Sequence, residues 1–220
     1  MRSMPLRALC AALLLALPAA GGCRSVNSGF WGALGYEKRD LLVGDVKDAK
    51  EEQNKAKEEF KSALDQFKAL AGASTDATLQ TKYDKLKSAY EDADSRAKKV
   101  SKRIADVEYS GGQLFSEWEK ELGQYSDAGL RRQSEQRLGE TRGQYKQLVS
   151  VMRQAEAKMQ PVLRVFSDQV LRLKHELNAS AIASLQGTTV QVEQDVAALI
   201  QDMERSINEA NAFIAQLDKK

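Results

Sequence analysis

Between Tyr83 and Tyr125, alternating steps of three and four residues land on Tyr83, Leu86, Tyr90, Ala93, Ala97, Val100, Ile104, Val107, Gly111, Leu114, Trp118, Glu121 and Tyr125. Eleven of these thirteen positions are apolar or aromatic, while the residues between them include Lys85, Lys87, Glu91, Asp92, Arg96, Lys98 and Lys99. This is the heptad spacing of a coiled-coil seam, a narrow apolar stripe along a charged cylinder. A lone helix would leave that stripe in water. At 1.5 Å per residue the segment is about 64 Å long, so the rest of the chain has to supply partners of similar length.

Three further stripes do so. Leu42, Val46, Ala49, Gln53, Ala56, Phe60, Ala63, Phe67 and Leu70 form the first, and Ala71 to Asp76 supplies a stop, since Gly favours helix C-caps and Ser, Thr and Asp favour N-caps. So short a connection makes its two helices antiparallel neighbours. Gly111 and Gly112 fall inside the second helix, where each is expected to cost about 1 kcal/mol relative to Ala. That site is expected to kink or to admit a close neighbour. The chain should turn again between Gln124 and Gly129. A third stripe runs through Leu138, Thr141, Tyr145, Leu148, Met152, Ala155, Met159, Val162, Phe166, Gln169 or Val170, Leu173 and Leu177. Pro161 lies within it and predicts a kink rather than a break, because proline removes one backbone bond and crowds the carbonyl four residues back. Asn178 to Ser180 reads as a junction and Gly187 to Thr189 as a second weak point. The last stripe uses Val192, Val196, Leu199, Met203, Ile207, Ala210, Phe213 and Leu217. The expected class is therefore all-α, an elongated antiparallel helical bundle or coiled coil of about four long helices over residues 37–220. The competing architecture is an open hairpin that completes its core by dimerising.

The start of the chain reads as an address. Arg2 and Arg7 precede an uninterrupted apolar run from Ala8 to Leu17, too short to span a bilayer, and small residues from Ala19 to Gly22 follow. Residues 1–22 thus have the parts of a secretory signal peptide. Leu17 to Cys23 resembles a bacterial lipobox, although Ala20 stands where leucine is commonest. The resemblance makes Cys23 the lipidation site, and Arg24 after it implies the outer membrane. An ordinary cleaved signal with Cys23 as a stray thiol is the plain alternative. Residues 23–36 are then the lipidated cysteine and a Gly/Ser-rich tether, whose Phe30 and Trp31 would sit at the headgroup level or cap the helical body.

Charge and composition exclude several functions. Arg2 and Arg7 lie ahead of Cys23, so the remainder carries 31 basic and 31 acidic residues. Both signs alternate along the helices, which argues against a nucleic-acid footprint. Cys10 and Cys23 both lie at the start, and beyond them only His175 offers an imidazole, so no metal site and no cofactor is expected. A Gly-rich phosphate loop, a Gly-x-Ser-x-Gly elbow and a His-Glu-x-x-His pair are all missing. Met152 and Met159 read as core filling, and Gln53 and Glu121 as polar seam residues that set register or oligomeric state. Asp168, Arg172 and Glu176 stand four residues apart and can form ordinary surface pairs.

Lys38 to Val43, Leu114 to Glu119 and, above all, Pro161 to Asn178 resemble a family of bacterial proteins catalogued only as a domain of unknown function. The resemblance covers about Gly35 to Leu217. It implies an exported, coiled-coil-rich protein and carries over no functional residue. From the residues and this resemblance together, the chain is expected to be a non-enzymatic envelope lipoprotein at the periplasmic face of the outer membrane. It would be a structural or adaptor protein held by its lipid anchor, with an envelope protein partner or self-association. The surface of Asp168, Arg172 and His175 is its candidate contact. A periplasmic small-ligand-binding protein or enzyme, with a pocket near Pro161 and Gly111-Gly112, is the alternative.

Overall fold

The computed structural model describes residues 26–73 and 78–217, with side chains described from residue 37 onward. The expected signal peptide, Cys23 and the side chains of Phe30 and Trp31 lie outside the described residues. The chain divides into two units, Met1–Leu34 and Gly35–Lys220, and the second is the helical body. The helices of the chain are α1 (Val26–Ala71), α2 (Leu79–Leu122), α3 (Ala128–His175) and α4 (Ala179–Leu217). No strand occurs among the described residues. None of the described helices is long and apolar enough to cross a membrane. The helical backbone of α1 already begins at Val26, inside the stretch read as a tether.

The order of the helices follows from their cross-helix pairs. Lys50 reaches Asn211, Lys57 reaches Glu204 and Lys68 reaches Glu193, so α4 retreats by seven and then eleven residues as α1 advances by the same steps. Antiparallel packing also joins α1 to α2, through Asp48–Arg103 (3.4 Å) and Glu52–Arg96 (2.8 Å). Glu119–Arg142 and Glu108–Arg153 join α2 to α3, and Lys158–Asp202 joins α3 to α4. The ring α1-α2-α3-α4 therefore closes within one chain, as an antiparallel four-helix bundle. Across its diagonal the rings of Phe67 and Phe166 meet edge to face at 6.0 Å.

The stripes form the core. Every α1 stripe residue from Leu42 to Leu70 is 0 % exposed, including the polar Gln53. Gln53 has a partner on α4: Ser206 Oγ donates to Gln53 Oε1 at 2.9 Å. The stripe of α4 consequently passes through Ser206, and Ile207 is only half-buried. At the other end of α2 burial thins, with Trp118 and Glu121 half-covered and Tyr125 exposed. α2 itself ends at Leu122, so Tyr125 lies in the turn beyond it, while Phe213 near the end of α4 packs against Tyr145. The junction expected at Asn178 to Ser180 falls where α3 gives way to α4, whereas the weak point expected at Gly187 interrupts no helix. α3 runs unbroken through Pro161, and α4 through Gly187.

The two central glycines part company. A Cβ on Gly111 would lie 2.4 Å from ring atoms of Tyr145. That ring is fixed, because its hydroxyl donates to the carbonyls of Val107 and Glu108 (3.4 and 3.3 Å) and it packs against Phe115 at 5.1 Å. Gly112 faces open space. Gly111→Ala is therefore expected to destabilise the fold by about 1–3 kcal/mol through overpacking. Gly112→Ala should stabilise it by about 1 kcal/mol through helix propensity. Urea unfolding of the two variants checks this, and a Gly111→Ala protein as stable as the parent would show that the ring moves aside freely.

Candidate functional site

α3 ends where the chain reverses. Glu176 N–H bonds the Arg172 carbonyl at 3.1 Å, and Asn178 starts α4 by accepting the Ala181 N–H on its Oδ1 at 3.0 Å. Satisfying these terminal groups locally makes a tight turn out of three residues. On the last turns of α3, Asp168, Arg172 and His175 are all exposed. Their steps of four and three place them on one helix face. Arg172 ties that face to the next helix, since its guanidinium donates to Ser184 Oγ of α4 while its Nε lies 3.9 Å from Glu176. Leu171, three residues after Asp168 and four before His175, is 60 % exposed on the same face. The stripe itself passes on either side of it, through Val170 and Leu173, so an apolar side chain sits in water among charges.

Pro161 is itself exposed. One turn before it, an open groove of about 470 Å³ lies between α3 and α4, lined by Gln154, Ala157, Lys158, Asp202 and Arg205. The Asp202 side chain is only 7 % exposed and its carboxylate is shared between Lys158 and Arg205, the latter at 3.2 Å. The groove is therefore a clamped helix junction; ligand sites are concave and enclose most of what they bind. At Gly111 the Tyr145 ring occupies the space that a pocket would need. No group of three or more His, Cys, Asp or Glu side chains among the described residues could hold a metal ion.

A second polar cluster sits where α2 turns into α3. Trp118 Nε1 donates to Ser134 Oγ at 2.8 Å, and the Tyr125 hydroxyl lies 3.4 Å from the same oxygen. Asp127 caps α3 by accepting from the N–H groups of Gly129 and Leu130 at 2.8 and 2.7 Å. Arg142 packs over the Phe115 ring at 5.1 Å while pairing with Glu119. Deeper along the α2–α3 face, Arg153 bridges Glu108 and Glu156. Hydrogen bonding from Arg153 holds the Glu108 carboxyl below the usual carboxylate range, and the same bonds raise the Arg153 guanidinium further. Burial, and secondarily Glu108, pushes the Tyr145 phenol up.

Two comparisons with known proteins returned nothing: no curated protein and no solved structure matches the chain. A third matched residues 29–217 to the family described as "Protein of unknown function (DUF2959)". The chain belongs to this family. The DUF2959 region takes in α2, α3 and α4 entire, and with them the Asp168–His175 face, the Asp202 groove and the α2–α3 turn. Residues 1–28, Cys23 among them, lie outside it.

Glu121 gives the DUF2959 body one pH-dependent contribution, opposite in sign to that of the lowered Glu108. One of its carboxylate oxygens is buried without a partner, and burial, followed by repulsion from Glu117, raises its pKa above the ordinary 4.5. A carboxyl raised on folding favours the folded state below its unfolded pKa, and that contribution is lost as pH rises through the folded value. Glu121→Gln is therefore expected to be more stable than the parent at pH 7, with the difference vanishing near pH 4. Chemical denaturation at the two pH values reads this directly, and equal stability at pH 7 would contradict it.

Proposed function

We propose that the protein is a non-enzymatic lipoprotein of the cell envelope, anchored through Cys23 at the periplasmic face of the outer membrane, which acts as a structural or adaptor protein. The observation that carries this reading is how the stripes are used. The stripe residues of α1 from Leu42 to Leu70 are buried to 0 % exposure against the other helices of the same chain, and Tyr145 fills the space beside Gly111. What the body offers to other molecules is then its outer surface, which is charged along its length. Arg2, Arg7, the apolar run from Ala8 to Leu17 and the small residues before Cys23 support the anchor.

The Asp168, Leu171, Arg172 and His175 face supports a protein contact. An exposed leucine rimmed by charges has the composition of a small interface, apolar at its centre and polar at its edge. Its place beside the α3–α4 turn sets it at the end of the bundle away from the first residues of the body. An anchored adaptor would project this end into the periplasm.

Metabolic labelling with palmitate tests the anchor: the parent should incorporate label and Cys23→Ala should not, and equal labelling of both would overturn it. In-cell crosslinking tests the surface. Asp168→Ala/Arg172→Ala/His175→Ala should keep the parent melting temperature, because exposed charges add little to stability, and should lose crosslinked envelope partners. A normally folded triple variant that keeps every crosslink would remove this face as the contact.

A further inference from the structure

The up-and-down order gathers three features at one end of the bundle. Lys38, near the first residue of the body, bonds Gln113 on the last turns of α2, and Phe213 near the end of α4 packs on Tyr145. Past these contacts the α2–α3 hairpin continues to the turn that joins its two helices. Tyr125 and Leu130 at its tip are 42 % and 55 % exposed.

We propose that this tip rests on the membrane surface, with Tyr125 and Leu130 at the headgroup level and Arg131 and Arg132 on the phosphates of anionic lipids. The inference rests on the lipoprotein reading. Only eleven residues lie between Cys23 and Gly35, so an anchored chain keeps the start of the body within roughly 40 Å of the bilayer even if fully extended. The hairpin tip lies at that same end. Tethering at such range turns a weak surface contact into an intramolecular one, which is why two apolar side chains suffice where a free protein would need many. Tyrosine suits the site, being apolar in its ring and polar at its tip.

The charges of the turn match that surface. Residues 123–133 contain Asp127, Arg131 and Arg132 and no other ionisable acid or base apart from Tyr125. Asp127 is taken up in capping α3. Arg131 reaches Glu135 through its Nε at 2.9 Å and is itself exposed, and Arg132 is exposed and makes no ion pair among the described residues. Guanidinium groups bind phosphate through several parallel donors.

The test uses the full-length protein isolated from membranes, its acyl group verified by mass, in vesicles containing phosphatidylglycerol. A fluorophore is attached at Ser126→Cys in the turn, or at Val190→Cys near the other end, and a quencher is carried on the lipid headgroups. Loss of fluorescence at position 126 and none at 190 is expected, with the loss at 126 reversed by Arg131→Glu/Arg132→Glu. Acylated protein with no quenching at 126, or with quenching that survives the arginine replacements, overturns the inference and leaves the lipoprotein reading standing. Protein without an acyl group overturns both.

Discussion

The closure of α4 onto α1 is the contact on which the rest of the structure depends. Each stripe is only a few residues wide, so a helix pair buries one side of it and leaves the other wet. Returning the last helix to the first covers all four at once, and Leu42, Phe60, Phe67, Leu185, Val196 and Leu199 reach 0 % exposure because of it. The ion pairs at Lys57 and Lys68 line the join on the outside but are screened and weak. Burial of the stripes supplies the energy, at about 1.5–3 kcal/mol for each large apolar side chain. The Gln53–Ser206 bond supplies the register. A slip of one heptad would set Gln53 against Leu199 or Phe213 and leave its whole amide unbonded. Its Nε2 already has no partner, which costs about 1–3 kcal/mol, so the pair is a sacrifice of stability for a single alignment.

Periodicity made most of this legible. Heptad counting located the buried face of α1 residue by residue, and it located Leu148, Met152, Ala155 and Met159 on α3, because both helix geometry and the core obey the same spacing. It could not say where the helix stops. The α2 stripe continues in sequence to Tyr125, yet α2 ends at Leu122 and Tyr125 is exposed in the turn beyond it. Nor could it choose between adjacent residues at the edge of a stripe. Ser206 took the buried position from Ile207 through one hydrogen bond to a residue 153 positions away. Gly187 looked like a weak point, but the hydroxyls of Thr188 and Thr189 both bond the Leu185 carbonyl at 3.0 Å and the helix carries on. Pro161 is tolerated within α3 with its ring facing solvent.

For the candidate surfaces the division is similar. That Asp168, Arg172 and His175 share a face follows from their spacing alone. The exposure of Leu171 beside them, and the tie from Arg172 to Ser184, depend on where α4 lies and so were out of reach. Asp202 stands next to Met203 in the chain and reads as an edge position. Only the tertiary contact shows that its carboxylate is covered and held by Lys158 and Arg205. Gly111 gives the clearest reversal. A glycine pair in a helix suggests looseness, whereas here the missing side chain is what lets the Tyr145 ring lie against the backbone.

A carbodiimide crosslink between Lys68 and Glu193 in an equimolar mixture of isotopically light and heavy protein tests the closure of α4 onto α1 most directly. These two side chains pair across α1 and α4, so the account predicts crosslinked peptides that are light–light or heavy–heavy alone. Mixed light–heavy peptides at the statistical proportion would mean that the core is completed by a second chain, and would contradict it.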